Sequence, residues 1–404
     1  MRTATFILSA GLAICGVSGT VAGLLVPSVA VAQQKVGAVV GKHLTTAQDA
    51  IKKKKWDAAL AAIKQAQAVD SKTAFETYKI NELLWYVYLQ QGRNADAARL
   101  LEQQIASGQM PANEKVQRTK TLAQLYFRAG AHGKAIAAAN QYLKSAPGDQ
   151  DMLLLVANGY YQQKDYKNAI AAAEKLTKGG QRPSEDILQL ILRSNYELKD
   201  EAGTSKALEQ LLKYYPTPDT WDRLLDGYIS KSKHDHELIA LYRLSEDVGS
   251  LRKARQFTDM SQALVVGGYA MEGQRVIEKA LTANLFQGEE LGRAQRTLDS
   301  AKRRGDLERQ ALAKAPATLA AAKTGEELYK VGQLYFSAGD YAKAADVLRK
   351  ALAKGGLSDA DDGNMLFGIA LVRDGKPAEA AKAFDAIKDP QFKEVGRLWK
   401  LRAR

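Results

Sequence analysis

Residues 325–387 read GEELYKVGQLYFSAGDYAKAADVLRKALAKGGLSDADDGNMLFGIALVRDGKPAEAAKAFDAI. The same pattern occurs twice in this stretch. An apolar run of helical period meets a turn, at Gly339-Asp340-Tyr341 or Gly375-Lys376-Pro377, and an alanine-rich helical run follows. Ala344 and Ala380 hold the same place in the two copies and lie 36 residues apart. A repeat of that length made of two helices marks a solenoid, in which each unit buries its apolar face only by stacking on its neighbours.

Working back toward the N-terminus, the same turns recur. Gly92-Arg93-Asn94-Ala95-Asp96-Ala97 separates helical runs at 81–90 and 98–105. Gly130-Ala131-His132-Gly133-Lys134-Ala135 separates 116–129 from 136–145, and Lys164-Asp165-Tyr166-Lys167-Asn168-Ala169 separates 151–163 from 170–177. With Trp56-Asp57-Ala58-Ala59 as the first of the set, the alanines Ala59, Ala97, Ala135 and Ala169 advance in steps of 38, 38 and 34 residues. A small side chain recurs there because two helices that cross closely leave no room for a larger one. Pro147 and Pro183 follow second helices, where proline stops a helix and opens the next connection.

On these residues the chain resembles the tetratricopeptide-repeat family, in its exported bacterial form. The family pattern is fullest at Val331-Gly332, Tyr335, Gly339, Tyr341 and Ala344. It returns at Val156-Ala157, Tyr160, Tyr166 and Ala169, and at Leu122-Ala123, Tyr126, Gly130, Ala135 and Pro147. The resemblance implies an all-α fold, a right-handed superhelical solenoid of antiparallel helix pairs, running as one array or as two segments with a degenerate centre.

The expected divisions are a signal peptide at 1–32, an N-terminal array at 33–215, degenerate helical repeats at 216–320, and a C-terminal pair with a basic tail at 321–404. In the centre, Asp200-Glu201-Ala202-Gly203-Thr204 reads as a lengthened inter-helix turn. The runs 289–304 and 307–313 read as a helix pair, and 312–323 with Pro316 as a helix or a joint.

The chain opens with Met1-Arg2 and an apolar run from Phe6 to Val26. Ala30-Val31-Ala32 before Gln33-Gln34 follows the small-x-small rule for leader cleavage. A retained transmembrane anchor is the alternative, since the run approaches the roughly 20 residues that span a bilayer. The one cysteine, Cys15, follows Ile14 rather than a small residue, which argues against lipidation. Cleavage after Ala32 leaves a cysteine-free chain of about 370 residues, without disulfides or thiolate metal sites, expected in the periplasm or secreted.

The formal charge of +13 from 58 Lys and Arg against 45 Asp and Glu suits acidic proteins, anionic glycan or lipid headgroups better than nucleic acid. Lys52-Lys53-Lys54-Lys55 fits the carbonyl end of a helix, with a polyanion site as the functional alternative.

Little in the sequence carries chemistry. The four histidines are His43, His132, His234 and His236. His234-Asp235-His236-Glu237 lacks a third ligand at useful spacing and reads as a solvated turn. Asp361-Asp362, Glu289-Glu290 and Glu326-Glu327 read as exposed helix starts, without the contrast in environment that acid–base catalysis needs. Nucleophile elbow, phosphate loop and dinucleotide fingerprint are all missing. No catalytic, cofactor-binding or metal-binding residue is assigned, and no cofactor is expected. A helical toroid with hydrolase activity is the enzymatic alternative.

In the family that the chain resembles, certain first-helix positions line a concave groove that binds partner proteins. Counting back from each turn places Lys79, Glu82 and Tyr86 there; then Gln117, Lys120, Gln124, Phe127 and Arg128; then Asp151, Leu154, Asn158 and Tyr161; and, near the C-terminus, Glu326, Tyr329, Gln333 and Phe336. Mixed polar and aromatic side chains suit an extended peptide or a partner's helix. A groove filled by the chain's own terminal helix is the other reading. The family's carboxylate clamp is matched by Lys120 alone, since Gln124 and Leu155 depart from it. A basic patch, with Arg252, Lys253, Arg255, Arg293, Arg296, Lys302, Arg303 and Arg304 and the tail Arg397, Lys400, Arg402 and Arg404, would suit an anionic envelope polysaccharide. The expectation is thus an envelope scaffold for protein–protein interaction, or else a guide for such a polymer.

Overall fold

A computed structural model describes residues 35–178 and 182–403; the expected leader at 1–32, with Cys15, lies outside the described residues. Twenty-one α-helices and no strand occur among the described residues. None is long and apolar enough to cross a membrane. The chain divides into two compact units at Pro111/Ala112.

The first unit holds α1 (Ala38–Lys52), α2 (Trp56–Ala68), α3 (Ala74–Gln90) and α4 (Asn94–Ala106). Helix α1 begins at Ala38, three residues into the described part of the chain. Buried Glu76 organises its centre: it closes a capping box with Thr73 and accepts the Gly37 N–H at 2.9 Å. Those backbone bonds, Thr73 first, hold its carboxyl below the usual range.

The second unit begins with α5 (Ala112–Arg128), α6 (His132–Leu143), α7 (Gln150–Gln162), α8 (Tyr166–Thr177) and α9 (Glu185–Glu197). It continues through α10 (Glu201–Tyr214), α11 (Pro218–Ile229), α12 (Asp235–Asp247), α13 (Ala254–Val266), α14 (Ala270–Thr282) and α15 (Glu289–Ala313). The short α16 (Ala315–Ala321) precedes α17 (Gly325–Ala338), α18 (Tyr341–Lys354), α19 (Ala360–Arg373), α20 (Pro377–Asp385) and α21 (Pro390–Arg402).

One turn recurs along the chain. Eight first helices end on a residue of positive φ: Lys54, Gly92, Gly130, Lys164, Lys199, Gly268, Gly339 and Gly375. The next residue's N–H reaches back to the carbonyl five residues earlier, as in Ala131 to Tyr126 at 2.9 Å and Asp340 to Tyr335 at 2.9 Å. This is the Schellman closure, which satisfies carbonyls that the helix end would otherwise leave open.

Five residues beyond each positive-φ residue stands a small or short side chain: Ala59, Ala97, Ala135, Ala169, Thr204, Gly273, Ala344 and Ala380. All six alanines are fully buried. Gly273 shows why, since a Cβ there would lie 3.0 Å from the Ser261 carbonyl on the facing helix. Gly332 sits on the other side of such a crossing, with Leu348 at 2.7 Å from where its Cβ would be.

The centre departs from the expected elements in two places. Glu201 to Thr204 form the first turn of α10 rather than a lengthened loop, because Asp200 caps the Gly203 N–H at 2.9 Å. The expected pair at 289–313 is one helix, α15, and Gly305 does not break it: the residue is buried where Gln274 of α14 approaches closely. The joint at 312–323 contains the short α16, with Pro316 in its first turn.

From α9 onward the helices stop behaving as a simple row. One hydrophobic core runs from Leu188 to Trp399, across residues 215/216 and 320/321. The closing contacts are made by α19 and α21, which return to α12. Trp399 is fully buried and its indole N–H donates to the Ala240 carbonyl at 3.1 Å. Arg397 makes a two-pronged ion pair with Glu209 of α10. Helices α5 to α8, by contrast, pack on their own partners and on adjacent repeats of this unit, as α5 on α6 and α7, and α7 on α8 and α9.

Candidate functional site

The repeated turn gives a ruler for comparing first helices. Three residues before the positive-φ residue stand Phe127 on α5, Tyr161 on α7 and Tyr196 on α9. Six residues before it stand Gln124, Asn158 and Arg193; ten before it, Lys120, Leu154 and Gln189; thirteen before it, Gln117, Asp151 and Asp186. These positions share one face of each helix, and the three helices are adjacent in the stack.

Phe127 and Tyr161 are half-buried, packed edge-on against His132 at 5.2 Å and Tyr166 at 5.4 Å. Tyr196 is 69% exposed, unusual for a large aromatic side chain. The Arg193 guanidinium lies 5.7 Å from the Tyr161 ring centre, linking α9 to α7. Gln117, Arg128 and Asp151 are exposed, while Gln124, Leu154 and Asn158 are half-buried. The Asn158 amide donates to the Leu154 carbonyl at 3.0 Å.

Lys120 is not a free carboxylate ligand. Its ammonium pairs with Asp149 at 2.6 Å, and Asp149 also accepts from the Tyr142 hydroxyl at 2.9 Å and caps α7 through the Met152 N–H. Burial alone would lower the Lys120 pKa, but the hydrogen bond and charge of Asp149 outweigh it and the value is raised. Burial likewise opposes ionisation of Asp149, and Lys120, the Met152 N–H and Tyr142 together hold it below the ordinary range.

In the first unit, Lys79 pairs with Glu82 at 2.8 Å and lies 5.7 Å from the Phe75 ring centre, while Tyr86 is half-buried beside Trp85.

The C-terminal set does not form an open face. Phe336 holds the register of Phe127, Tyr161 and Tyr196, yet it has no exposed surface. It is wedged between Tyr269 and Tyr341, with the Arg243 guanidinium 4.4 Å from its ring centre. Tyr329 is buried and donates its hydroxyl to Asp362 of α19, and burial drives its pKa far up. Gln333 donates to the hydroxyls of Tyr269 and Tyr329 at 3.0 and 3.1 Å. Glu326 accepts the Ser358 N–H at 3.0 Å. Helices α12, α14 and α19 cover what a simple row of repeats would leave free.

This covering carries a buried ionic network. Arg243 and Arg373 both bind Glu272, Arg373 also binds Asp247 at 3.0 Å, and Arg243, Arg373 and Glu272 are all nearly inaccessible. Burial would raise the Glu272 pKa, but the two guanidiniums overcome it and the value is lowered.

Asp362 is therefore not an exposed helix start. It is 7% exposed and bridges Tyr329 to His236, whose Nδ1 lies 3.2 Å away. His236 stands in the first turn of α12, not in a solvated loop, and its hydrogen bond to Asp362 raises its pKa. No group of acids, histidines or cysteines arranged to hold a metal occurs among the described residues.

The basic patch resolves into paired and unpaired members. Arg252 pairs with Asp219, Lys253 with Asp222, Arg255 with Asp259, Lys302 with Glu278 and Lys400 with Asp385. Arg397 is taken up by Glu209 and Glu394.

A family model described as tetratricopeptide repeat matches residues 120–185 and 329–391. The chain carries tetratricopeptide repeats. Both matched segments contain the Schellman turn and its buried alanine, and the same geometry at Lys54/Ala59, Gly92/Ala97 and Gly268/Gly273 extends the repeat grammar outside them.

A comparison with curated proteins finds no match. Among solved structures, the Naa15/Naa10 structure bound to HypK-THB shares 17% identity at a TM-score of 0.43. That alignment covers 90% of this chain, which spans 61% of the length of the chain it matches. A tetratricopeptide repeat protein from Parabacteroides merdae ATCC 43184 shares 14% identity over 91% of this chain and 99% of its own, at a TM-score of 0.29. The pentatricopeptide repeat protein PPR10 from maize shares 16% identity over 88% of this chain and 60% of its own, at 0.30.

Sequence reasoning missed Asp186, Gln189, Arg193 and Tyr196. The signal that finds them is Lys199, a turn residue without the usual glycine, from which the same backward count applies.

Proposed function

We propose that this tetratricopeptide-repeat protein is a non-catalytic scaffold that captures a segment of a partner protein on the shared face of α5, α7 and α9. The observation that carries this reading is the aromatic register Phe127, Tyr161 and Tyr196 on three successive first helices. Rings that keep partial exposure, interleaved with amide and guanidinium donors, suit a peptide or helix that buries apolar side chains and satisfies its polar groups at once. The leader pattern at 1–32 supports an envelope setting, with the mature chain beginning at Gln33 in the periplasm or outside the cell.

The test is in-cell crosslinking of the wild-type chain and of a Phe127→Ala, Tyr161→Ala, Tyr196→Ala variant of equal helicity, followed by identification of the adducts. The partner that crosslinks to wild type should be lost from the triple variant. Undiminished capture would reject this face. N-terminal sequencing of the cell-fractionated protein checks export, with Gln33 expected first and Met1 contradicting cleavage.

A further inference from the structure

A second surface separates from the basic patch once its ion pairs are removed. Between α13 and α15 lies a cleft of about 360 Å³ bounded by Gln262, Val265 and Val266 on one side and by Arg293, Arg296 and Arg304 on the other. Unlike Arg252, Lys253 and Arg255, these three arginines make no ion pair among the described residues. Arg304 is anchored through one nitrogen to the Val265 carbonyl at 3.3 Å, leaving the rest of its fork available. Thr297 and Gln262 bond each other at 3.2 Å across the floor, joining the two helices. Among the acids near in sequence, Asp259 holds Arg255, Asp306 holds Arg309 and Glu308 accepts from the Ala270 and Met271 N–H groups, while Glu289, Glu290 and Asp299 make no ion pair with the three arginines among the described residues.

Two features define what would fit. Residues 293 to 304 spread their guanidiniums over roughly 16 Å of helix, at about 1.5 Å per residue, too far for one small anion. The charges are also bordered by apolar surface: Val266, which lines the cleft, is 69% exposed, and Leu307, one turn beyond Arg304 at the end of the row, is 65% exposed. A bare polyanion would leave these side chains in water. Single-stranded nucleic acid would find no aromatic ring among the lining residues on which to stack a base.

We propose that the α13–α15 cleft is a second docking site, for an acidic segment of a protein partner that carries apolar side chains between its carboxylates. Arginine forks match carboxylates in a bidentate geometry, and Val266 and Leu307 bury the intervening side chains. This site is independent of the α5–α7–α9 face and stands if that face fails.

The probe is a labelled synthetic peptide of Glu and Leu about twelve residues long, matched to the arginine span and followed by fluorescence anisotropy with the full chain. Saturable binding is expected, weakening as salt rises from about 50 to 150 mM because the charges are screened. Arg293→Gln with Arg296→Gln should weaken it by about 10-fold or more, equivalent to 1.4 kcal/mol. Val266→Ser with Leu307→Ser should weaken it by about 3-fold or more, from lost apolar burial. The acid-paired control Arg252→Gln with Arg255→Gln should bind as wild type.

The absence of saturable binding, equal binding of a peptide with Gln in place of Glu, or indifference to the arginine changes would each overturn the proposal. So would polyphosphate that binds more tightly than the peptide while the Val266 and Leu307 changes have no effect, which would make the cleft a general polyanion site.

Discussion

Helices α5 to α9 and helices α10 to α21 use the same turn, but they treat the first-helix face in opposite ways. In the first group, Phe127, Tyr161 and Tyr196 keep surface, up to 69% for Tyr196. In the second, the equivalent Phe336 has none, because Tyr269, Tyr341 and two arginines enclose it. Local sequence decides that two helices pair and where they cross. Whether the resulting face stays free is decided by side chains from other repeats: Tyr269, Arg243 of α12 and Arg373 of α19 all come to the Phe336 ring. The open face and the closed face are therefore the same local structure with different tertiary fates.

The sharpest way to break this comparison is to cut the network on the closed side. Glu272→Ala removes the carboxylate that pairs with Arg243, and loss of one partner from a buried ion pair costs about 3–5 kcal/mol. Urea unfolding of the variant should show that loss. On the open side, Asp149→Ala frees a Lys120 that water already reaches in part, so the cost should be about 1–2 kcal/mol. Equal losses at the two sites would mean that the two regions are not differently closed.

Next in size come the crossings that both regions share. Ala169→Leu and Ala344→Leu should each destabilise by about 1–3 kcal/mol through overpacking, because both alanines are fully buried at the same step of the repeat. A large effect at one and none at the other would mean that the two turns are not equivalent.

A smaller effect has a pH sign. The His236 pKa is raised by its hydrogen bond to Asp362 and by the charges of Asp362, Asp359 and Asp235. The stability it contributes is fully present below the ordinary value of 6.5 and is lost as pH rises through the folded-state value. With the imidazole half exposed, the contribution should stay below about 1 kcal/mol. Thermal melts across this window should show stability falling with pH in wild type and a flatter profile in His236→Gln.

The smallest change should be favourable. Lys164 and Lys199 pay for a left-handed backbone that glycine adopts freely at Gly130 and Gly339, so Lys164→Gly should gain up to about 1 kcal/mol in the chemical melt.

The distribution of legible and illegible features follows from the same contrast. Repeats at 92–177 and 325–387 could be read because glycine turns, small residues at the crossings and apolar periods are local signals. The α9–α10 turn was harder, because Lys199 replaces glycine and Asp200 caps a helix that begins one residue later. The α11–α12 turn has no positive-φ residue between Ile229 and Asp235, yet the apolar runs at 221–229 and 237–245 mark the pair. On α5 and α7, counting from the turns places the named residues on one partly exposed face. At Tyr329, Gln333 and Phe336 the same count found the right register and the wrong environment. Nothing near these residues in sequence announces the return of α19 and α21.

Thiol labelling tests the central claim most directly, because Cys15 is the only cysteine in the sequence. On a Cys15→Ala background, single cysteines would replace Tyr196 and Phe336, the same register on the open and closed sides, with helicity checked for each. A maleimide should modify Cys at 196 at nearly the rate of an unfolded chain, and Cys at 336 only through local opening, at least about a thousandfold more slowly for an opening cost near 4 kcal/mol. Comparable rates at the two positions in folded protein would contradict the division into an open and a closed face.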